Sequence, residues 1–400
     1  MLASPRLSPL GSRPDRFLVA LGFVGVVAVA ALVHHEALLA PFPQQDEPVF
    51  VEAAERMAAG ASPYSQERYN YPPPLAALGA AAIERGRPGL FLALVRSANV
   101  LAVAALAVFA AGFAGLSGGR RFPLAALLVA CLPVVHYTLW IGNLGPIAAV
   151  LALAGWQLGR HQPFGGAVLV GTSLAFKPLA LAGAIYLAIR WLIEARGGAR
   201  RKVEALAWLP VTVLCLVPWA SELPALLERM AEPPVFSSRN LSFRRVFEGL
   251  GIDLPAAAGT LAVLVVALCL AQRRPVDDLD RVHTAAVVAL LALPVGWAHG
   301  FIFVLPLQVA AARLYWQRRT ARGGRSWRTL AERWGVPLGL ALIQGSANAG
   351  VEFAAPAGLR AVVVLLPLLS PLALLVYLRR AAPPAANAGG GMSPSRGSLR

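Results

Sequence analysis

Charged residues are scarce in this chain of 400 residues: Asp, Glu, Lys and Arg make up 14% of it, whereas 57% is hydrophobic. A soluble globular domain carries about 25% charged residues, so the composition excludes an ordinary soluble protein. Strand-like alternation of polar and apolar residues is also missing. Apolar runs of about 16 to 22 residues recur instead, close to the roughly 20 that a helix needs to cross a bilayer. Because lipid accepts only helices and closed barrels, the pattern predicts an all-α polytopic membrane protein.

Cysteine and lysine are rare as well. The three cysteines, Cys131, Cys215 and Cys269, lie far apart inside apolar runs, which argues against both a disulfide framework and a zinc site. Only Lys177 and Lys202 are lysines among 36 basic residues, a bias typical of GC-rich bacterial genomes. No basic stretch is interleaved with aromatic residues, so nucleic acid is not an expected partner.

Signatures of soluble cofactors are missing too. The sequence has no P-loop, no Gly-x-Ser-x-Gly, no His-Glu-x-x-His and no dinucleotide fingerprint, and a soluble nucleotide donor is therefore not expected. His34, His35 and Glu36 stand together, but adjacent side chains on a helix point in different directions and no partner spacing follows. We expect neither a cofactor nor a metal.

Basic residues are distributed unevenly between the predicted membrane faces. With the N-terminus in the cytoplasm, the inside segments hold 25 Arg or Lys against 7 Asp or Glu, and the outside segments hold 11 against 13. This agrees with the positive-inside rule and predicts a bacterial plasma-membrane protein with both termini cytoplasmic. Twelve spans are predicted, at roughly 17–39, 89–115, 123–140, 144–158, 164–176, 178–193, 203–220, 256–271, 283–298, 300–315, 335–347 and 357–378.

The same topology divides the chain into three parts. A cytoplasmic N-terminus, 1–16, precedes a transmembrane domain, 17–380, and a tail, 381–400, rich in Gly, Pro, Ser and Ala and predicted to be disordered. The outer loops 41–88 and 222–255 carry most of the polar residues that could do chemistry. We therefore expect any functional site to lie on the extracytoplasmic face.

The first outer loop contains the leading catalytic candidate, Asp46. It precedes a predicted amphipathic helix that ends at Gly60, with Val49 and Phe50 on its apolar face. Asp46 has two interpretations: an N-cap for that helix, or a general base at the water–membrane boundary. Glu47 is the nearest substitute if Asp46 is only structural.

Each of the other polar residues in the outer segments has a structural and a functional interpretation. Tyr64 and Tyr71 are either interface anchors or substrate contacts. Lys177, isolated between two apolar runs, either snorkels to lipid headgroups or binds a phosphate. His299 is either an interface residue or a contact to a phosphate or sugar hydroxyl.

The second outer loop contains Arg239, Asn240 and Ser242. Ser242 can cap a short helix with Gly251 as its stop, so that free N–H groups and nearby arginines could bind a phosphate. The alternative is a basic amphipathic helix on anionic lipid.

Short motifs follow one another in order along the outward segments. The first loop has Asp46 with Phe50 four residues on, then a Gly-x-x-Pro-Tyr that ends at Tyr64, then a Tyr-Pro-Pro that begins at Tyr71. Later come a Gly-Asn turn at Asn143 that opens a helix, Lys177 followed by proline, Asn-Leu-Ser over 240–242, and Gly-Trp-Ala-His-Gly over 296–300. From about residue 44 to about residue 310, this ordered set resembles glycosyltransferase family 87, of the polyprenyl-phosphate-mannose-dependent mannosyltransferase type.

That resemblance implies a GT-C type fold and an inverting hexosyltransferase. Asp46 would be the catalytic base, and the substrate-binding residues would be Tyr64, Tyr71, Asn143, Lys177, Arg239, Asn240, Ser242 and His299. The donor would be a polyprenyl-phosphate hexose, mannose or a related sugar, and the acceptor an extracytoplasmic lipid or glycan, with membrane lipids as surroundings. Two alternatives stay open: a twelve-span transporter or flippase, and a binding or scaffold protein without activity.

Overall fold

The computed structural model describes residues 16–33, 35, 46–65, 68–113, 122–159, 161–194, 203, 206–231, 246–247, 265, 278–292, 298–321, 330–346 and 357–381. Within these ranges the secondary structure consists of helices joined by short turns, and no residue is in a strand. This confirms the all-α prediction for the described part of the chain. The predicted tail 381–400 and the predicted span 256–271 lie almost wholly outside it.

The helices follow one another closely along the chain. They are α1 Arg16–Val33, α2 Glu47–Ala58, α3 Pro73–Glu84, α4 Pro88–Phe113, α5 Phe122–Ala130, α6 Pro133–Trp140, α7 Gly145–Leu158, α8 Pro163–Phe176, α9 Leu181–Glu194, α10 Trp208–Leu216, α11 Leu223–Ala231, α12 Asp278–Leu291, α13 Leu305–Ala321, α14 Leu330–Ser346 and α15 Ala357–Ala381. Short 3₁₀ helices lie at Pro63–Ser65, Pro178–Ala180, Val217–Glu222 and Ala298–Val304.

Several of these helices are long and apolar enough to cross a membrane. Among the described residues, Arg16–Val33, Pro88–Gly112 and Trp208–Arg229 meet that requirement, the last running through α10, the 3₁₀ helix Val217–Glu222 and most of α11. Two bent pairs, α5 with α6 and α8 with α9, would raise the number to five if each pair is one span. The chain thus has the character of a helical membrane protein. The number of twelve spans stays a prediction.

Two sharp bends in the chain lie where proline interrupts the helices, one inside the predicted span 123–140 and one between the predicted spans 164–176 and 178–193. The predicted span 123–140 consists of α5 and α6, which meet at 55° around Leu132, directly before Pro133. The helices on either side of Lys177 meet at 118°, and Pro178 follows that lysine. Proline removes a backbone donor and forces the preceding residue into extended geometry, which ends each helix at these points.

The apolar interior has two parts. The larger core contains helices from α1 to α15, with small residues such as Ala104, Ala149 and Ala286 where helices come close. The smaller core lies under the first polar loop and joins α2, α3 and the start of α4 around Phe50, with the three tyrosines of the loop. Because both α2 and the loop contribute to this core, the loop is packed rather than loosely attached.

The first polar loop contains two helices, of which only α2 was predicted. Its buried residues include Val49, Phe50, Ala53 and Ala54, and Gly60, with φ 76°, follows its end as predicted. The second, α3, begins at Pro73 directly after the extended Pro72. A proline suits the first turn of a helix, since its missing N–H would have no partner there. The extended backbone therefore ends at Pro72, and the next two prolines belong to α3.

Candidate functional site

Asp46 stands directly before α2, but its side chain does not cap that helix. The carboxylate makes no hydrogen bond to the first turn, so the N-cap interpretation is wrong for the side chain. Its backbone N–H donates to the Ile141 carbonyl at 3.0 Å, which ties the start of α2 to the turn between α6 and α7. The Asn143 side-chain amide donates to Asp46 Oδ2 at 2.7 Å. Asp46 is partly exposed, so its carboxylate is held in position and still open on one side.

Asn143 lies at the centre of the site. Its Nδ2 donates to Asp46 and also to the Tyr71 hydroxyl at 3.1 Å. Its Oδ1 accepts from Lys177 Nζ at 2.5 Å and from the backbone N–H of Gly145 at 2.8 Å. The last bond satisfies a free donor at the start of α7. Every polar atom of this buried amide is thus used, which fixes its orientation.

The turn that presents Asn143 needs a glycine at position 142. Gly142 has φ 70°, in the left-handed region that side chains disfavour. A Cβ there would also lie 2.8 Å from Glu47 Cγ. Gly142 therefore permits both the turn and the close approach of α2. That approach brings Asp46 within hydrogen-bond distance of Asn143.

Lys177 occupies the break between α8 and the 3₁₀ helix Pro178–Ala180. It is 6% exposed, so the snorkelling interpretation is wrong. Besides its bond to Asn143, Nζ donates to the Tyr71 hydroxyl at 3.3 Å and lies 4.9 Å from the centroid of the Tyr71 ring. A buried ammonium is costly, and neutral acceptors, an aromatic face and the nearby carboxylate of Asp46 offset that cost. The Lys177 amine and the Asp46 carboxylate are thus held on either side of the Asn143 amide.

Tyr71 contacts Asn143 and Lys177 and is influenced by the charge of Asp46, and we call these four residues, Asp46, Tyr71, Asn143 and Lys177, the Asp46 site. Burial, followed by the neighbouring negative charge of Asp46, raises the pKa of the Tyr71 hydroxyl well above its ordinary value. This hydroxyl is therefore neutral at physiological pH and can donate a hydrogen bond. Its ring packs edge-on against Phe50, with centroids 4.9 Å apart.

Tyr64 is not one of these four residues, but it stabilises the backbone at Tyr71. Its side chain is buried, and its hydroxyl donates to the Tyr71 carbonyl at 2.8 Å. Tyr69, which the sequence analysis missed, donates in the same way to the Pro72 carbonyl at 3.0 Å. These contacts give Tyr64 a structural role, and its substrate contact stays a prediction. The two hydroxyls hold the backbone around Tyr71 in place.

Glu47 cannot replace Asp46, although the two are neighbours in the sequence. Glu47 is 1% exposed and forms a two-pronged ion pair with Arg96, at 2.8 Å and 3.0 Å. Arg96 was not selected from the sequence, but a single arginine within the apolar α4 was the available signal. The ion pair links α2 to α4 and so helps to hold the start of α2, next to Asp46, in position.

The remaining predicted site residues are not placed. Arg239, Asn240 and Ser242 lie outside the described residues. The backbone of His299 belongs to the 3₁₀ helix Ala298–Val304, but its side chain is outside the described part as well. Within that part, no three His, Cys, Asp or Glu side chains gather as metal ligands would.

The Asp46 site combines an acceptor of protons with a cation and a neutral phenol. These groups come from three segments that are far apart in the sequence, around residues 46–71, 143 and 177. Such a set can take a proton from a hydroxyl and hold an anion at the same time. Comparisons with family models, with curated proteins and with solved structures find no match to this chain.

Proposed function

We propose that this protein is a membrane glycosyltransferase that moves a hexose from a polyprenyl-phosphate donor to an extracytoplasmic lipid or glycan acceptor. The observation that carries the proposal is the contact of one Asn143 amide with both Asp46 and Lys177. It places a base and a cation on either side of one small group. Transfer from a sugar phosphate needs both, a base for the acceptor and a cation for the leaving group.

Asp46 acts as the general base in this scheme. The acceptor hydroxyl oxygen attacks the anomeric carbon, and its proton passes to the Asp46 carboxylate. The bond between that carbon and the phosphate oxygen breaks, and its electron pair leaves with polyprenyl phosphate. Attack opposite the leaving group inverts the configuration. One carboxylate is enough because a phosphate leaves as a stable anion, unlike the leaving group of a hydrolase that uses two carboxyls.

Lys177 and Tyr71 stabilise the departing phosphate. A lysine is a compact point charge suited to a phosphate, and the phenol adds a neutral donor. Both are oriented before the substrate arrives, since Asn143 and the face of the Tyr71 ring already fix the ammonium. Groups fixed in advance stabilise developing charge without the cost of reorganisation.

The surroundings of the site are apolar, as the polyprenyl chain of the donor requires. The smaller apolar core begins directly beside Tyr71, and Leu144 and Phe176, which flank Asn143 and Lys177 in sequence, belong to it or pack against it. We place the protein in the bacterial plasma membrane with the site on the outer side, as the distribution of basic residues predicts. The acceptor would be presented from that side.

The test is a transfer assay on the purified full chain in detergent or nanodiscs. Radiolabelled polyprenyl-phosphate mannose and glucose would be offered with a panel of lipid and glycan acceptors. The proposal expects label to move to one acceptor class without added nucleotide sugar. Uptake of a lipid-linked sugar into proteoliposomes with no transfer would overturn it in favour of a transporter or flippase.

A further inference from the structure

The orientation of the Asn143 amide determines which way the hydrogen bonds of the Asp46 site run. The backbone N–H of Gly145 donates to Asn143 Oδ1, which fixes the NH₂ group of the amide towards Asp46 and Tyr71. An amide nitrogen cannot accept a hydrogen bond, so the Tyr71 hydroxyl accepts from it at 3.1 Å and keeps its own proton. That proton needs an acceptor other than Asn143.

The protonation state of Lys177 decides how many N–H and O–H groups lack an acceptor. An ammonium has three N–H groups and no lone pair. One donates to Asn143 at 2.5 Å and one to Tyr71 at 3.3 Å, and among the described residues neither the third N–H nor the Tyr71 proton has an acceptor. A neutral amine has a lone pair that can accept the Tyr71 proton across the same 3.3 Å, and only one N–H is then without an acceptor.

Both side chains are largely withdrawn from water. Lys177 is 6% exposed and Tyr71 is 7% exposed. A buried ammonium is costly, and so is a buried N–H or O–H group without an acceptor, so both costs favour the neutral amine in the empty site. Burial lowers the pKa of Lys177 to about 7, although the carboxylate of Asp46 acts in the opposite direction. Near neutral pH the empty site therefore contains both forms of the lysine.

Asp46 is the charged group that acts most directly on Lys177 in the described part of the chain. Its carboxylate lies across the Asn143 amide, and the nearby Glu47 carboxylate is already paired with Arg96. Helices α7 and α8 contain no charged residue. Other titratable side chains of the neighbouring helices lie further along the bundle or at the end of α3: Glu84, Tyr186, Arg190, Asp280, Arg281 and His283.

An anionic oxygen supplies what the charged form of Lys177 lacks. Because the Lys177 nitrogen and the Tyr71 oxygen are 3.3 Å apart, one phosphate oxygen can accept from both at once. Its negative charge also favours the ammonium over the amine. A neutral hydroxyl could accept the same hydrogen bonds but would not stabilise the positive charge in this way.

We propose that binding of the phosphate of the sugar donor is coupled to the uptake of one proton by Lys177, while the Tyr71 hydroxyl stops donating to the amine and donates to the phosphate. The proton comes from solvent and forms an N–H bond at the lone pair of the amine, so the site gains one positive and one negative charge together. The identity of the anion rests on the proposed function, whereas the proton uptake requires binding alone and no transfer.

The coupling has a definite sign. Because the bound phosphate raises the pKa of Lys177, the affinity for the sugar donor is highest below the pKa of the empty site. Above it, the affinity falls by about tenfold per pH unit until the pKa of the occupied site is reached.

Lys177 can be observed directly, because the chain has only one other lysine, Lys202. In the full chain with Lys202→Arg, lysine labelled with ¹³C at Cε gives one NMR signal, and its position reports the charge of Lys177. We expect a titration midpoint near pH 7 in the empty protein, and a midpoint at least about one unit higher with saturating short-chain polyprenyl-phosphate mannose. That ligand is a phosphodiester, so it has no titrating proton of its own near neutral pH.

The prenyl alcohol without phosphate is the control ligand and should leave the midpoint unchanged. A lysine that is still charged above about pH 9 in the empty protein would overturn the proposal. So would a midpoint that the phosphodiester does not raise. If the phosphodiester binds and its sugar is transferred without moving the midpoint, the coupling is refuted and the proposed function stands. If it does not bind at any pH, both are refuted.

Lys177→Arg gives a second, independent measurement. Its guanidinium keeps the proton at all pH values used, so the Kd for the phosphodiester should be the same at about pH 6 and about pH 8.5. In the unaltered chain the Kd should rise by about tenfold or more between these values. An equal pH dependence in both proteins would place the proton on another group and contradict the assignment to Lys177.

Discussion

Two clusters in the described part of the chain each contain an aspartate, and they differ in the hydrogen-bond partners of its carboxylate. Asp280 is 7% exposed and accepts two hydrogen bonds from Arg379, at 2.6 Å and 3.0 Å. Arg379 also donates to Thr284 at 2.8 Å. We call Asp280, Thr284 and Arg379 the Asp280 cluster. It ties the start of α12 to the end of α15.

The Asp46 site has the same kinds of group in a looser arrangement. Asp46 is partly exposed and accepts a hydrogen bond from the neutral Asn143 amide instead of from a guanidinium. Lys177 bonds to the other end of that amide and not to the carboxylate itself. A carboxylate paired two-pronged with arginine has little left to offer a substrate. The Asp280 cluster therefore links two helices through a fully paired carboxylate, whereas the Asp46 site has a partly exposed carboxylate that no guanidinium occupies.

The largest expected effect is on transfer when Asp46 is neutralised. Asp46→Asn keeps the shape and can still accept from Asn143, but it cannot take a proton. We expect the rate of sugar transfer to fall by about 10² to 10⁴, the usual contribution of a general base. The melting temperature should fall by no more than about 5 °C, since Lys177 loses the nearby carboxylate but keeps its hydrogen bonds to Asn143 and Tyr71.

The control for that variant lies on the same helix. Glu55 is exposed on α2, so Glu55→Gln should leave both transfer and melting temperature unchanged. If Asp46→Asn turned over at nearly the normal rate, the carboxylate would be structural like that of Asp280, and the comparison would fail.

The next largest effect is on stability at the Asp280 cluster. Arg379→Met leaves the buried Asp280 carboxylate without its two-pronged partner, at a cost of about 2–4 kcal/mol. The apparent melting temperature should fall by about 5 °C or more, measured by scanning fluorimetry in detergent. Transfer per folded molecule should be unaffected.

Arg380→Met serves as the matched control, because Arg380 is the next residue and is exposed. It should shift the melting temperature by no more than about 1 °C, as surface substitutions do. A similar shift for both variants would show that the Asp280 pair contributes no more than an ordinary surface charge.

The smallest of the three effects concerns the donor at Lys177. Lys177→Met removes one charge-assisted contact to the phosphate, and we expect the KM for the polyprenyl-phosphate donor to rise by about 10- to 100-fold. Lys202→Met removes the other lysine of the chain and should not change that KM. An unchanged donor KM in Lys177→Met would limit the role of this lysine to holding Asn143.

The sequence alone predicted that three segments far apart in the chain lie on the same face. The apolar runs predicted most of the observed helices, and the uneven distribution of arginines placed Asp46, Asn143 and Lys177 on one face. Their side-chain contacts in the structure agree with that placement. Long hydrophobic patterns predict helices well because burial in lipid dominates the choice of conformation.

The details of the site depended on packing that no pattern shows. Asp46 and Glu47 look equivalent in sequence, yet one helical position turns Glu47 towards Arg96 and leaves Asp46 facing Asn143. Helix α3 was missed because the run of prolines at its start is typical of extended chain as well as of a helix start. The support of Tyr71 by Tyr64 and Tyr69 follows from three-dimensional contacts alone.

The most direct test of the central claim is whether Asp46 and Lys177 act as one site. Sugar transfer would be measured for Asp46→Asn, Lys177→Met and the double variant, under the same donor and acceptor concentrations. If they serve one reaction centre, the double variant should be little slower than the slower single variant, because residues that act as a unit are strongly non-additive. If the two losses multiply, the residues act independently and the account of a shared base-and-cation site is contradicted.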